Sequence, residues 1–482
     1  MAASENPVIV WFRKDLRLAD NHALSAAAER GQPVVPVYIR DTHTPQNGPL
    51  GAAQAWWLHH SLAALSAAIG DHGNSLVLRS GKPEDVLAEL AGETGADTIF
   101  WNRRYDPDGI AIDGPIKQSF QKRGLTVQSF AGQLLHEPYK TLTKGGTPFK
   151  VYTAFWNALK AGGEPDEPLG RPDAIPAPDV FPRSEDLSGW GLLPEKPDWA
   201  SSFTEIWTPG EEAAAERLDM FIDDGLAGYK AARDLPGQSG TSLLSPHLAL
   251  GEISPATIWH ATRGLGRRIA SEDLVTFRKE LVWRDFSYHL LFHNPDLARE
   301  NLNRRFDAFP WVEDDAGFSA WTKGETGYPI VDAGMRQLWR HGYMHNRVRM
   351  IAASFLIKDL MIDWRRGERW FRDTLVDADP ASNSASWQWV AGSGADASPF
   401  FRIFNPILQG EKFDPDGDYV RTFVPDLEAL GPKYIHRPFE APDSVLEAAR
   451  IRLGTTYPKP IVNHAGARDR ALAAFNTIKD TA

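Results

Sequence analysis

PVIVWFRKDLRLAD, residues 7–20, decides how the N-terminal part of the chain folds. Its first six residues are apolar, β-branched or aromatic and read as a buried strand over 7–12, and a charged run follows at once. Working outward, 21–30 has the spacing of an amphipathic helix and 34–39 is again strand-like. A helix over 52–70, a strand over 76–78, a helix over 82–93 and a strand over 97–101 continue the alternation. Short apolar strands separated by helices imply a parallel sheet covered on both faces, so residues 5–130 are expected to form a doubly wound α/β domain. Such sheets bind ligands at the carboxyl ends of their strands. The usual G-x-G-x-x-G fingerprint is absent there, because RKDLRL stands after the first strand.

Residues 131–205 read as a connector. Within it AGGEPDEPLGRPDAIPAPDVFPRSEDLSGWG, 161–191, is rich in proline, glycine and acids and shows no periodicity. Beyond it, 206–482 reads as an all-helical domain, with runs beginning near Gly210 and after Ser245, then 271–293, 331–340, 345–362, 367–375 and 383–392. A chain of 482 residues is long enough for two such modules, each with its own core. With no cysteine, disulfides, thiolate metal sites and a cysteine nucleophile are excluded. No apolar stretch reaches the length of a membrane span, and the N-terminus lacks a basic start followed by an apolar run, so a cytoplasmic protein with no membrane partner is expected. The net charge of −11 argues against a nucleic-acid partner. Locally the balance reverses, since nine cations stand against three acids from Arg336 to Arg372, which suits either a basic face or, as charge alone favours, ordinary solvated helix faces.

Three helical segments place polar groups among aromatics. In LVTFRKELVWRDF, Phe277, Glu280 and Arg284 recur at three- and four-residue steps with Trp283 beside them, so a carboxylate, a guanidinium and two rings share one helix surface. In YMHNRVRMIAASF, Asn346, Arg349 and Met350 repeat that spacing, flanked by Arg347. An apolar helix face carries Asn and Arg only where something polar lies opposite. In LVDADPASNSASWQWVAG, Asp379 is placed as an N-cap before Pro380, with Asn383 and Trp387 one turn apart and Trp389 pointing elsewhere. Upstream, Thr241, Ser242 and Ser245 gather before Pro246 at a helix start, which suits either simple capping or a pyrophosphate.

Together these segments resemble the DNA photolyase and cryptochrome family. The resemblance runs from VIVWFRKDLRLADNHAL to NPILQGEKFDPDGDYVR, through TGYPIVDAGMRQL, GYMHNRVRMIAASFLIKDLMIDWRRGERWF and DADPASNSASWQWVAGSGADASPFFRIFNP. It implies an N-terminal antenna domain and a helical domain holding FAD in a bent shape. On this resemblance Tyr229, Thr241, Ser242, Leu244, Ser245 and Arg284 hold the phosphates and ribityl chain. Asn346, Arg349, Asp377, Asp379 and Asn383 line the flavin ring, with Arg349 and Asp377 as an ion pair, and Phe277 stands where some members carry tryptophan.

Substrate is implied in the same way. Trp283 and Trp389 match two aromatic walls around a flipped-out pyrimidine dimer, Glu280 matches a carboxyl on a thymine carbonyl edge, and Met350 matches a contact to its other side. Histidine at the Met350 position would have implied a (6-4) enzyme, and aspartate at the Asn383 position a plant cryptochrome. The activity implied is light-driven electron transfer from reduced FAD to a cyclobutane pyrimidine dimer in UV-damaged DNA. A photoreceptor without repair activity is the alternative, and a monomer is expected. Trp387, Trp364 and Trp311 match a relay that reduces the flavin, and Arg233, Arg347, Arg402 and Lys412 are candidates for DNA phosphate contacts. For the antenna, methenyltetrahydrofolate is favoured because LSPHLALGEIS resembles a bacterial branch near the plant cryptochromes. Asp108-Gly109 and Ala298-Arg299 replace the pairs that hold folate in other bacterial members, so a deazaflavin, a second flavin or no pigment stays open.

Overall fold

The computed structural model describes residues 6–43, 50–396 and 401–479; the expected domain limits at 5 and 482, and residues 397–400 of the last motif, lie outside them. Five strands, β1 Val8–Phe12, β2 Val34–Asp41, β3 Val77–Gly81, β4 Thr98–Asn102 and β5 Thr126–Phe130, form one parallel sheet in the order β3-β2-β1-β4-β5. Every residue of β1 and β4 is buried, as a parallel sheet covered on both faces requires. Alternation along β1 divides the core. Val8, Val10 and Phe12 pack with Leu24 of α1 (His22–Ala28) and Trp57 and Leu62 of α2 (Ala52–Asp71). Ile9 and Trp11 face the other way, with Leu87 and Leu90 of α3 (Pro83–Thr94) and Phe120 of α4 (Pro107–Lys122).

The strand order reverses between β1 and β4, the place where such sheets take ligands. In this chain the loop after β1 docks on protein instead. Leu16 N–H donates to Leu250 O at 3.2 Å, and the Arg17 guanidinium donates to Gly251 O at 2.9 Å. Gly251 has φ +73°, and a Cβ there would overlap the Lys14 carbonyl, so only glycine permits this approach.

The stretch read as a connector is not featureless. It holds α5, Tyr152–Gly162, whose Tyr152, Phe155 and Leu159 are buried in one cluster with Phe277, Leu281 and Phe286. The part of the connector from Leu134 to Leu159 therefore packs as a piece of the helical module. The proline-rich part runs without helix or strand between Gly162 and a short 3-10 turn at Leu187–Trp190.

The helical module contains α6 Glu211–Met220, α7 Tyr229–Ala232, α8 Ser245–Leu250, α9 Pro255–Ala261, α10 Ser271–His293, α11 Asp315–Lys323, α12 Pro329–His341, α13 Asn346–Ser354, α14 Trp364–Thr374 and α15 Pro380–Ala391, with further helices to Lys479. The run expected over 345–362 is α13 followed by a wider π turn, Phe355–Asp359. Helix α2 clamps the two modules together. Trp57 Nε1–H donates to Glu252 Oε1 at 3.0 Å, and Gln54 donates to Ala378 O at 2.6 Å, between Asp377 and Asp379.

Candidate functional site: a polar-ended aromatic cavity

A cavity of about 750 Å³ opens among α7, α8, α10, α13 and α15. One helix supplies one wall because its turn spacing does so: Phe277, Glu280, Trp283 and Arg284 of α10 all line it. Asn346, Arg349 and Met350 line it from the first turns of α13. His345 caps that helix, its Nδ1 accepting from Arg347 N–H at 3.2 Å.

Helix α15 begins as its sequence requires. Asp379 Oδ1 accepts from Ala381 N–H and Ser382 N–H at 3.1 and 2.8 Å, with Pro380 in the first turn. Its second oxygen accepts from the Tyr288 hydroxyl at 2.6 Å. Burial, and then Asp379 itself, push the ionisation of Tyr288 up, so this phenol stays a donor.

The expected ion pair is present. Arg349 Nη2 lies 2.8 Å from Asp377 Oδ2, which also accepts from Ser245 Oγ at 2.6 Å. Asp377 Oδ1 is buried and has no hydrogen-bond partner among the described residues. A buried acceptor left open is costly, so its place on the cavity wall marks where a ligand N–H or O–H belongs. Nearby, the Asn383 amide donates to Glu368 O and to Glu368 Oε1 at 3.0 and 2.9 Å. Both of its N–H groups are thereby engaged, and its oxygen remains as an acceptor.

Tyr229, Ser242, Leu244, Ser245 and Arg402 also line the cavity, as do Trp387 and Trp389. The α10 wall further presents Arg284, which donates to Gln133 O at 2.8 Å. Two of the expected contacts differ. Thr241 is absent from the wall and interacts with Tyr343 instead. Arg347 turns away to pair with Asp234 at 2.8 Å and sits 4.3 Å over the Phe413 ring, beside Lys412 at 4.9 Å.

Of the three tryptophans expected to form a relay, Trp387 alone lines the cavity, with ring contacts to Phe371 at 4.9 Å and Trp321 at 6.3 Å. Trp364 is buried, its Nε1–H donating to Asn301 Oδ1 at 3.0 Å. Trp311 is half-buried against Phe309. Trp387 also fills the space over Gly367, where a Cβ would overlap the indole and lie 2.7 Å from Leu356 Cδ2. Gly367→Ala is therefore expected to cost about 1–3 kcal/mol through overpacking, read as a lower denaturation midpoint; unchanged stability would mean that the indole has room to move.

The basic face does not survive as such. Arg336, Arg340, Arg347, Arg349, Arg365, Arg366 and Arg372 each pair with a carboxylate, several of them distant in sequence, as Arg336 with Asp426 and Arg340 with Glu205. Lys358 is buried, donating to Ala391 O at 2.7 Å. Three site residues escaped the sequence reading: Glu368, which orients Asn383; Tyr288, which holds Asp379; and Tyr152, whose ring stacks on Trp283. For Tyr152 a signal existed, the helical spacing of Tyr152, Phe155 and Leu159.

Family models match both modules: DNA photolyase over residues 8–178, and the FAD binding domain of DNA photolyase over residues 277–477. The chain is 65% identical over 481 residues to a deoxyribodipyrimidine photo-lyase of Agrobacterium fabrum, covering 100% of both chains. It is 38% identical over 477 residues to cryptochrome-1 of Arabidopsis thaliana, covering 97% of this chain and 70% of that one. A crystal structure of a bacterial class III photolyase from Agrobacterium tumefaciens superposes with a TM-score of 0.97 at 65% identity, over 99% of each chain. With both modules matched and relatives aligned from end to end, the chain belongs to the DNA photolyase and cryptochrome family.

Proposed function

We propose that this protein repairs cyclobutane pyrimidine dimers in DNA, using light and a reduced FAD. One observation carries the reading: Trp283 and Trp389 line the same cavity as the Arg349–Asp377 pair and Asn383. A cofactor gripped at the polar end would thus share one opening with two indoles able to stack on a flipped-out pyrimidine dimer.

The residues fit FAD. The open Asp377 Oδ1 suits an N–H of the isoalloxazine, the Asn383 oxygen offers a second acceptor, and Arg284 and Ser242 supply donors for the phosphates. A bound, reduced FAD would supply the light-driven electron transfer that opens the two carbon–carbon bonds of the lesion, with the electron returned and no net redox change. The chain's own work is binding and orientation. Extruding a damaged dinucleotide costs a few kcal/mol, and stacking on Trp283 and Trp389 offsets this. Glu280 forms an ion pair with Arg233. As a paired carboxylate it accepts hydrogen bonds, so an imide N–H of the lesion suits it better than the carbonyl edge first expected. Met350 offers an apolar contact on the facing helix, and Arg233 and Arg402 at the cavity supply positive charge for phosphates.

Trp387, Trp364 and Trp311 suit a relay that would keep the flavin reduced, because they run from the cavity wall through a buried position to a half-buried one. A folate antenna belongs to the same reading, and acid release of the pigments from purified protein identifies it.

Glu280→Ala tests the lesion contact. It is expected to retain FAD and lower repair of a thymine-dimer oligonucleotide about 10- to 150-fold, since a hydrogen bond to a charged group contributes about 1.5–3 kcal/mol. Repair at the unsubstituted level would remove Glu280 from the lesion site.

A further inference from the structure

We propose that Tyr152, from the segment ahead of the helical module, is a positioning residue that fixes the Trp283 indole for lesion recognition; this rests on the assignment of Trp283 to the lesion. The Tyr152 and Trp283 rings lie parallel, with centroids 3.6 Å apart and planes 5° from coincidence. The Tyr152 hydroxyl donates to Lys279 O at 2.9 Å. In an α-helix that carbonyl is the one toward which the backbone N–H of Trp283 points. One tyrosine thus holds both the ring of Trp283 and the helical turn that carries it.

The arrangement leaves little freedom. Tyr152 also packs edge-on against Phe286 at 5.8 Å, and Phe286 packs edge-on against Trp283 at 5.8 Å. Tyr152 is buried and Trp283 only partly so, and Trp283 lines the cavity while Tyr152 does not. With one face covered by tyrosine and an edge on phenylalanine, the surface of Trp283 left to the cavity is the opposite face. Burial, and then the nearby Glu280, push the ionisation of Tyr152 up, so the hydroxyl remains a neutral donor. An indole held in this way loses less rotamer freedom when a base stacks on it.

The test uses the FAD-loaded protein and two ring replacements. Tyr152→Leu removes the stack, and Tyr152→Phe keeps it while losing the hydroxyl. An aromatic pair contributes about 0.5–1.5 kcal/mol beyond its buried area, so the preference for thymine-dimer over undamaged oligonucleotide is expected to fall about 2- to 12-fold in Tyr152→Leu. Tyr152→Phe restores most of it. Repair per bound lesion, measured in a single turnover at saturating protein, is expected to stay the same in both, so the loss appears in affinity and not in turnover. In a Trp283→Ala background, Tyr152→Leu is expected to add less than twofold, since no indole remains to be held.

If Tyr152→Leu does not retain flavin, Tyr152→Met, which fills the slot without a ring, takes its place in every arm. The proposal is overturned if the ringless variant keeps the full preference, or if it loses as much preference without Trp283 as with it. A different result marks failure of the underlying assignment: unsubstituted protein showing no preference for the dimer.

Discussion

Arg349→Leu is expected to purify with little or no flavin and with a fold weakened by about 3–5 kcal/mol, the usual effect of removing one partner from a buried ion pair. The asymmetry of the pair explains the size. The Asp377 side chain is only 3% exposed, so once Arg349 is gone its charge is left with Ser245 as its one remaining side-chain partner. Arg349 Nε also donates to Met344 O at 2.6 Å, and that carbonyl precedes the cap of α13, so the turn presenting Asn346 loosens too. Adding Asp377→Asn removes the stranded charge and should recover much of the stability. It should not recover the flavin, because the Arg349 guanidinium is still missing from the cavity wall. Denaturant unfolding and the flavin-to-protein absorbance ratio separate these effects. Arg349→Leu with a full complement of flavin would contradict the polar end as a cofactor grip.

The second large effect belongs to the other end of the cavity. Trp283→Ala combined with Trp389→Ala is expected to leave flavin content intact and to weaken binding of a thymine-dimer oligonucleotide severely. Base stacking on an aromatic side chain contributes about 1–3 kcal/mol, a factor of about 5 to 150 for each residue. The two indoles come from different helices, α10 and α15, but share the lesion as partner, so the double variant need not lose the full product of the two factors. Affinity for undamaged DNA should change little, since it rests on phosphate contacts. Equal weakening for damaged and undamaged strands would show that the tryptophans act on backbone binding or on the fold, and would remove the lesion sandwich.

The fold was legible wherever a signal was local. Helix Ser271–His293 runs over the expected residues, and Asp379-Pro380 starts α15 by capping chemistry that needs no tertiary context. Helix α5 was absorbed into the connector because its apolar face covers only Tyr152, Phe155 and Leu159 and stands between glycine-rich stretches, GG at 145–146 and GG at 162–163. What makes it part of the site is packing against α10, a contact across more than a hundred residues that no local pattern carries.

The basic stretch from Arg336 to Arg372 could not be decided between a basic face and solvated helix faces for the same reason. A charge count within a segment cannot include Asp234, Glu205, Glu313 or Asp426, the acids that the fold brings against it. Glu280, Trp283, Asn383 and Trp389 share one cavity, whereas Arg347 is held by Asp234. Hydrophobic position and helical spacing are properties of a segment. Electrostatic partnership is a property of the folded molecule.

The most direct measurement is repair by the purified protein, with its flavin reduced, illuminated near the absorption of reduced flavin, about 400 nm, with oligonucleotides carrying a single defined photolesion. The account predicts that thymine cyclobutane dimers return to intact thymines in the light and not in darkness, and that (6-4) photoproducts are left unchanged. Dimers that bind the reduced protein and remain unrepaired after illumination would contradict it.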